Sequence, residues 1–254
     1  MSELGHPRVH LRRTDSTNDR ARGLARAGAP HGTLVTADEQ TAGRGRGGRS
    51  WSAPPGSSVL MSLLLRQPPS LLPLMAAVAV CEVAGAEARI KWPNDVVVVQ
   101  AGPAGTVLAK LAGILTEGRP QEGWAVVGIG LNVAVRLEDL PAELRPGAVG
   151  GAAGRPAATL GLAPTEVEPT LARLLAALER RLHERPEPTL EAWRSRDALR
   201  GREIAWGAED EQLRGVAQGI DGAGRLVVEL ASGGRTALSA GEVHLAVPGQ
   251  TRGA

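Results

Sequence analysis

The sequence predicts an α+β fold, in which a mixed β-sheet packs against helices and is followed by a small β-barrel. The chain has 254 residues, of which 43% are hydrophobic, so it can bury a substantial core. Apolar strands and amphipathic helices follow one another over the first 199 residues. After Leu199 the pattern changes to short strands separated by turn residues, which is typical of a small barrel.

The elements of the first 199 residues follow from local signals. Ser16 with Asp19 three positions later is a capping-box-like pair, and it predicts a helix that runs to about Ala27. A second such pair, Thr165 and Glu168, predicts the start of a longer helix with one apolar stripe. Further helices are predicted at 71–85 and 189–196, and strands at 33–37, 58–65, 89–91, 96–99, 107–117 and 124–133.

The change of pattern near Leu199 predicts two domains, 1–199 and 200–250. Turn signals such as Asp221–Gly224 and Ser232–Gly234 separate short strands in the second part. These strands are predicted at 203–206, 213–220, 226–230 and 235–239. Four to five strands in about fifty residues are enough for a barrel with its own core.

Charge and cysteine content exclude several classes of protein. The net charge of +2 implies no charge-driven partner. The single cysteine, Cys81, excludes a disulfide framework and a cysteine-based zinc cluster, and its apolar surroundings predict a packing role. No apolar run is long enough to span a membrane, and the N-terminus carries no signal-peptide core. We therefore expect a cytoplasmic protein with no membrane partner.

The rarity of lysine and asparagine marks candidate site residues. The chain contains 27 Arg, 2 Lys, 3 Asn and no Phe or Tyr, which a GC-rich coding bias explains. Under such a bias a retained lysine indicates a place where a compact point charge is needed, because Arg replaces Lys readily on a solvated surface. The retained residues are Lys91, Lys110, Asn18, Asn94 and Asn132.

The segment Gly43–Arg49, Gly-Arg-Gly-Arg-Gly-Gly-Arg, is the strongest local feature. Its glycines let the backbone approach a ligand, and its arginines suit a polyphosphate or a carboxylate that passes through an anionic transition state. Its spacing matches neither a Walker loop nor a dinucleotide-binding fingerprint. Taken alone, this Gly-Arg loop is equally consistent with an anion site and with a flexible RNA-binding loop. Trp51 either stacks on a base or anchors the loop.

Two further segments place polar groups among apolar strands. The corner Lys91–Asp95 contains a proline that fixes a turn. Within it, Asp95 is either a magnesium ligand, or it caps the turn or forms an interface salt bridge. Lys110 lies in an otherwise apolar strand, so its ammonium either reaches solvent or meets an anion, and the rarity of lysine favours the anion.

The strand at 124–133 has one face built of apolar residues and one face with two glycines. Gly128, Gly130 and Asn132 share the second face, and the missing side chains leave room there for a ligand or another backbone. If this strand offers an exposed edge, it supports a homodimer by sheet extension, which we state as a hypothesis.

Five ordered motifs resemble those of the biotin protein ligases. They are Ser16–Asn18, Gln40–Arg46, Lys91–Asp95, Lys110–Leu115 and Gly128–Asn132, and Gly215–Asp221 resembles the SH3-like barrel of that family. The resemblance implies that biotin and Mg·ATP give biotinyl-5′-AMP and pyrophosphate. The biotinyl group then passes to one lysine of a biotin carboxyl carrier protein, such as that of acetyl-CoA carboxylase.

The resemblance also implies roles for residues. Lys110 and Arg46 are the implied catalytic residues: Lys110 holds the biotin carboxylate, and Arg46 retains the adenylate. The implied biotin-binding set is Ser16, Thr17, Asn18, Gln40, Arg44, Gly45, Arg46, Lys110 and Gly113. The implied ATP- and adenylate-binding set is Arg44, Arg46, Arg49, Trp51, Lys91, Asn94 and Asn132. Asp95 is the implied magnesium ligand.

Regulatory members of the family carry an N-terminal helix-turn-helix domain, and only fifteen residues precede Ser16 here. We therefore expect a ligase with no DNA partner. Two other functions are weighed against this one. A lipoate or octanoate ligase or acyltransferase shares the catalytic fold, but the corner and the Gly-Arg loop favour biotin. A nucleic-acid-binding module is disfavoured by the near-neutral charge and the lack of aromatic platforms.

Overall fold

Two β-sheets and four α-helices form the part of the chain that the computed structural model describes, residues 4–102, 105–145, 156–207, 212–239, 241 and 243–245. The elements are β1 (Arg8–Thr14), α1 (Thr17–Arg26), β2 (Leu34–Gln40), β3 (Ser58–Arg66), α2 (Leu72–Ala84), β4 (Ala88–Lys91), β5 (Asp95–Gly102), β6 (Gly105–Arg119), β7 (Trp124–Asn132), α3 (Val167–His183), α4 (Pro186–Ser195), β8 (Glu203–Trp206), β9 (Leu213–Ile220), β10 (Leu226–Leu230), β11 (Arg235–Leu238) and β12 (Val243–Leu245).

The first sheet has seven strands in the order β1-β2-β3-β7-β6-β5-β4. β1 and β2 run parallel and the other neighbours run antiparallel, so the sheet is mixed and the predicted α+β class is confirmed. Helices cover both faces: α2 and α3 bury one face, while α1 packs its Ala21 and Ala25 on the other, against Leu64 and Val126. The nearly continuous burial of β3 and β7 follows from this two-sided covering.

The central position of β7 contradicts one premise of the dimer hypothesis. β7 is hydrogen-bonded to β3 along one side and to β6 along the other. It therefore offers no edge for sheet extension. The edge strands of this sheet are β1 and β4, and Ile90 of β4 is hydrogen-bonded on its outer side to Arg196 and Ala198. β1 was not predicted from the sequence, because only Val9 and Leu11 in it are apolar.

Two helix starts differ from those predicted. α3 begins at Val167 after a 3-10 turn at Pro164–Glu166, and no side chain caps it, so the predicted capping box at Thr165 and Glu168 is wrong. Glu168 is instead ion-paired with Arg8 of β1. α4 begins at Pro186, because a proline at the first turn needs no intrahelical donor.

The second sheet is antiparallel, with five strands in the order β11-β10-β9-β8-β12. Four of them match predicted strands, and the three-residue β12 was not predicted. Residues 208–211 and 246–250 of the predicted barrel lie outside the described residues. Among the helices that the structure describes, none is long and apolar enough to cross a membrane.

Candidate active site

A cavity of about 500 Å³ opens on the α1 side of the first sheet. α1 covers this face only as far as Leu64 and Val126. Beyond them, small residues face each other across the strands: Gly128 pairs with Ser62, and Gly113 pairs with Gly130. The missing side chains create the floor of the cavity, and the Gly-Arg loop and the start of α1 form its walls.

Thirteen of the fifteen predicted site residues line this cavity: Ser16, Thr17, Asn18, Gln40, Arg44, Gly45, Arg46, Arg49, Trp51, Asn94, Lys110, Gly113 and Asn132. The two exceptions are Lys91 and Asp95. The structure therefore brings together motifs that are up to 116 residues apart, from Ser16 to Asn132.

The start of α1 and the end of β2 form a polar corner of the cavity. Ser16 caps α1 by accepting from the Asp19 amide, which confirms the predicted start of this helix. The Thr17 amide and hydroxyl both donate to Gln40 Oε1, at 2.8 and 3.0 Å. Because that oxygen is occupied, Gln40 offers its NH₂ group, which makes no hydrogen bond to any residue in the described ranges.

Asn18 lies at the cavity wall with its amide fully engaged. Its Oδ1 lies 2.6 Å from the Ser62 hydroxyl, and its Nδ2 donates to Glu117 Oε2 at 2.9 Å. A Cβ at Gly128 would lie 2.0 Å from the same Oδ1, so only glycine fits there. Gly128 thus makes room for the buried side chain of Asn18.

Trp51 fills much of the space above the paired glycines Gly113 and Gly130. A Cβ at Gly130 would lie 2.4 Å from Cε2 of the indole, and one at Gly113 would lie 3.1 Å from Cζ3. The indole nitrogen is buried without a hydrogen-bond partner in the described part of the chain. The room predicted beside Asn132 is therefore occupied by Trp51, and a ligand at this place contacts or displaces the indole.

Lys110 reaches the same part of the cavity. Its ammonium lies 5.5 Å from the centroid of the Trp51 ring and 2.8 Å from Asp95 Oδ1. The lysine side chain is 28% exposed and the aspartate side chain 5%. A buried carboxylate thus fixes the ammonium at the cavity wall and leaves part of it accessible.

This ion pair supports the salt-bridge alternative for Asp95. Its carboxylate is buried against an ammonium and does not line the cavity, so it does not fit the predicted role of a magnesium ligand. Within the described residues, no group of three His, Cys, Asp or Glu side chains is arranged to hold a metal.

The Gly-Arg loop closes on itself through backbone hydrogen bonds. Gly45 N donates to the Arg49 carbonyl at 2.7 Å, and Gly47 adopts a left-handed conformation with φ of 63°. The guanidinium of Arg44 is ion-paired, whereas that of Arg46 makes no hydrogen bond or ion pair with any described residue. Arg46 therefore lines the cavity with a guanidinium that no described carboxylate neutralises.

Asn94 and Asn132 line the cavity, but their amides tie the backbone together. Asn94 Nδ2 donates to the Ile114 carbonyl at 2.7 Å, and Asn132 Nδ2 donates to the Ala158 carbonyl at 2.9 Å. Both residues are at least 92% buried. Their rarity in the chain reflects these backbone contacts as much as any contact with a ligand.

Lys91 is the predicted site residue that the structure places elsewhere. It is 3% exposed, and its ammonium donates to the carbonyl of Val243 in β12 at 2.6 Å. The neighbouring Trp92 donates its indole N–H to the Gly224 carbonyl at 3.1 Å. The corner Lys91–Asp95 thus connects the two sheets, and the predicted contact of Lys91 with ATP is wrong for this geometry.

Sequence reasoning missed Glu117, Ser62 and an apolar wall after β7. The first two are polar residues in strands that are largely apolar, which could have marked them. The apolar wall has no sequence signature of its own, and it consists of Leu140, Pro141, Leu144 and Ala157. Cys81, predicted to be a packing residue, is fully buried, and burial raises the pKa of its thiol to about 12.

Comparison with known families agrees with this arrangement. Residues 10–133 match the model of the biotin/lipoate A/B protein ligase family, and residues 201–245 match the biotin protein ligase C-terminal domain. The two matches cover the sheet with the cavity and the second sheet, respectively.

Characterised relatives fall into two groups. The biotin–(acetyl-CoA-carboxylase) ligase of Mycobacterium tuberculosis is 35% identical over 91% of this chain and 86% of its own, and that of Paracoccus denitrificans is 33% identical over 92% and 98%. The bifunctional ligase/repressor BirA of Bacillus spizizenii is 40% identical over 56% of this chain, but the match spans only 45% of that relative.

Solved structures share the fold. The biotin protein ligase from Aquifex aeolicus in complex with biotin and ATP aligns with a TM-score of 0.73, at 24% identity, over 95% of this chain and all of that one. With the two family matches and the two relatives aligned over most of their length, these findings show that the chain belongs to the biotin protein ligase family.

Proposed function

We propose that the protein is an ATP-dependent ligase that activates biotin as biotinyl-5′-AMP and transfers it to one lysine of a biotin carboxyl carrier protein, such as that of acetyl-CoA carboxylase. One observation carries this proposal: a single cavity combines the polar corner of Thr17 and Gln40 with the cationic side chains of Arg46, Arg49 and Lys110. Biotin has a polar ureido ring at one end and a carboxylate at the other, so this arrangement suits it.

The first step joins two anions. A carboxylate oxygen of biotin attacks the α-phosphorus of ATP, the bond from that phosphorus to the β-phosphate oxygen breaks, and pyrophosphate leaves. Fixed cations lower this barrier because they neutralise charge that a water-poor site cannot screen. Lys110, held by Asp95, is placed to hold the carboxylate, and Arg46 and Arg49 line the same cavity, from which they reach the phosphates.

The second step transfers the acyl group. The neutral amine of the carrier lysine attacks the acyl carbon of the mixed anhydride, AMP leaves, and the amine gives up a proton. The intermediate hydrolyses if water reaches it, so the Gly-Arg loop and Trp51 act by covering it. In this proposal Ser16, Thr17 and Gln40 bind the ureido ring, with Asn18, Gly45 and Gly113 shaping the wall beside it. Trp51, Asn94 and Asn132 form the wall for the adenylate.

Magnesium enters this proposal as part of the substrate Mg·ATP. The residues of the cavity do not provide a resident metal site, since Asp95 is committed to Lys110. The triphosphate supplies the oxygen ligands that magnesium prefers.

Three finer points belong to the same proposal. The catalytic domain is residues 1–199 and the C-terminal domain is residues 200–250. The protein acts in the cytoplasm, where its ATP and carrier are found. If it forms a homodimer by sheet extension, the edge is β1, because β7 is central. Sedimentation that shows only monomer at high concentration, with and without biotin and ATP, would exclude this dimer.

Release of pyrophosphate from ATP tests the proposal directly. We expect release with biotin and none with lipoate or octanoate. Release with lipoate or octanoate alone would assign the chain to an acyltransferase of the same fold. If no acid supports release, the proposed ligase is wrong, and a salt-dependent gel shift with random DNA then tests the binding-module alternative.

A further inference from the structure

Four charged side chains form a closed ring beside the cavity, and one of them, Arg44, lines it. Arg44 of the Gly-Arg loop lies 2.7 Å from Asp19 Oδ1 and 3.2 Å from Glu117 Oε1. Arg22 of α1 lies 2.7 Å from the same Glu117 oxygen and 3.4 Å from the same Asp19 oxygen. Each cation thus contacts both anions, and the ring joins the loop, the first helix and the end of β6.

Glu117 is the least exposed member of this ring. Its side chain is 19% exposed, against 25% for Arg22, 38% for Asp19 and 40% for Arg44. Its second oxygen, Oε2, accepts from Asn18 Nδ2 at 2.9 Å. One carboxylate therefore holds two arginines with one oxygen and the buried amide of Asn18 with the other.

The hydrogen bonds of Asn18 connect Glu117 to the polar corner formed by Thr17 and Gln40. Asn18 Oδ1 lies 2.6 Å from the hydroxyl of Ser62, and that hydroxyl lies 2.8 Å from Thr17 Oγ1. Thr17 in turn holds Gln40. All of these side chains except Gln40 are less than 5% exposed, so few alternative rotamers are open to them.

The ring also changes the charge available to a ligand. Two guanidinium groups and two carboxylates cancel, so Arg44 adds no net positive charge to the cavity, although it lines it. Among the cations that line the cavity, Arg46 has no ion-pair partner in the described part of the chain, and Lys110 shares its charge with the single carboxylate of Asp95. The geometry thus favours a mechanical role for Arg44 over an electrostatic one.

We infer that Glu117 is a positioning residue of the ligase and that Arg44 acts through it: together they set the geometry of the biotin-binding corner, and Arg44 is not itself a ligand for the phosphate or the carboxylate. This inference rests on the proposed function. It revises the implied role of Arg44 as a contact of biotin and ATP, and it adds Glu117, which the sequence motifs did not single out.

A double-mutant cycle tests it. Biotin-dependent pyrophosphate release is measured for the wild-type chain, Glu117→Gln, Arg44→Gln and the double variant, with KM determined separately for biotin and for ATP. Glutamine keeps the size of Glu117 and an acceptor for Asn18 while removing the charge. If Glu117→Gln does not fold, Asp19→Asn takes its place in the cycle, because it removes the more exposed carboxylate of the same ring.

The matched control is Glu122→Gln. Glu122 lies just after the same strand and accepts from Arg119 at 2.6 Å and from the Trp124 indole at 2.8 Å. Like Glu117 it lies outside the cavity lining, but its hydrogen bonds are to Arg119 and Trp124, whereas Glu117 contacts Asn18 and Arg44. We expect this control to keep the wild-type KM for both substrates.

We expect each single ring variant to raise the KM for biotin about tenfold and that for ATP by less than about threefold, as for a lost network contact worth about 1.4 kcal/mol. The double variant should be no worse than the more affected single variant. Unchanged KM values, equal rises for both substrates or additive effects would overturn the inference. If the wild-type chain releases no pyrophosphate with biotin, the proposed function fails, and this inference falls with it.

Discussion

The cavity and the junction between the two sheets are built from the same kinds of residue. The cavity holds Lys110 beside Trp51, and the junction holds Lys91 beside Trp92. The two lysines differ in their partners: Lys110 faces a carboxylate at 2.8 Å, and Lys91 donates to a backbone carbonyl at 2.6 Å. They also differ in access, since Lys110 keeps a partly exposed side chain and Lys91 is buried.

This difference separates two meanings of a rare residue. A retained lysine marks a place where arginine does not fit, and both lysines satisfy that condition. Only the three-dimensional partners show whether the charge serves a ligand or the fold. At the junction the ammonium of Lys91 binds β12 to the corner Lys91–Asp95. At the cavity the ammonium of Lys110 stays partly exposed, where a ligand can contact it.

Loss of the cavity lysine should have the largest effect on activity. Lys110→Ala removes the fixed cation beside the attacking carboxylate, and we expect biotin-dependent pyrophosphate release to fall by a factor on the order of 10²–10³. Its free energy of unfolding should also fall, by about 1–3 kcal/mol, because the buried Asp95 carboxylate loses this ammonium. Steady-state kinetics and urea unfolding measure the two effects. Activity near the wild-type level would show that Lys110 is not the carboxylate-holding cation.

Loss of the unpaired loop cation should affect retention of the intermediate. Arg46→Gly keeps a loop backbone that glycine tolerates, so we expect adenylation to continue while biotinyl-5′-AMP escapes into solution. The measurements are free adenylate after separation from the protein, and biotin on the lysines of a bystander protein. Retention equal to that of wild type would contradict the role of Arg46. Glu122→Gln, outside the cavity, is the control that should release none.

Sequence reasoning predicted the class, most strands and most of the cavity wall, because these depend on apolar alternation and on ordered motifs. The prediction failed where contacts between residues distant in sequence determine the role of a side chain. The short strand β1 has few apolar residues, so periodicity did not indicate it. The contact between Lys91 and Val243 joins residues 152 positions apart, and the ion pair of Glu117 with Arg22 joins residues 95 apart. No local spacing encodes such contacts.

Loss of the junction lysine should lower stability but, unlike loss of Lys110, leave activity near the wild-type level. Lys91→Met preserves the apolar stem but leaves the buried Val243 carbonyl without this donor, which costs about 1–3 kcal/mol of unfolding free energy. We expect the KM values for biotin and ATP to change by less than about threefold. Urea unfolding and pyrophosphate release check both. Severe loss of activity at unchanged stability would mean that the two lysines do not differ in the way described here.

The smallest effect concerns the pH dependence of stability at the junction. Asp197 lies where the chain leaves α4 beside Ile90 of β4. Its Oδ1 accepts from the Leu199 amide at 2.8 Å, while Oδ2 is buried without a partner in the described residues. Burial raises the pKa of this carboxyl from 3.8 to about 6. The folded state therefore holds the proton more tightly than the unfolded state, so stability falls as pH rises from about 4 to about 6.

Asp197→Asn removes this dependence and keeps the acceptor for Leu199. We expect the free energy of unfolding of the variant, measured with urea, to rise relative to that of wild type by about 2 kcal/mol as the pH is raised from 4.5 to 7.5. This follows because one pKa unit corresponds to about 1.4 kcal/mol. Asp221→Asn is the matched control: hydrogen bonds from Arg225 and Ala223 hold the pKa of Asp221 below its usual value of 3.8, so its titration lies below this pH range. The difference in stability between that variant and wild type should therefore stay nearly constant from about pH 4.5 to 7.5. A gap between Asp197→Asn and wild type that stays constant with pH would show that the Asp197 carboxyl titrates normally in the folded protein.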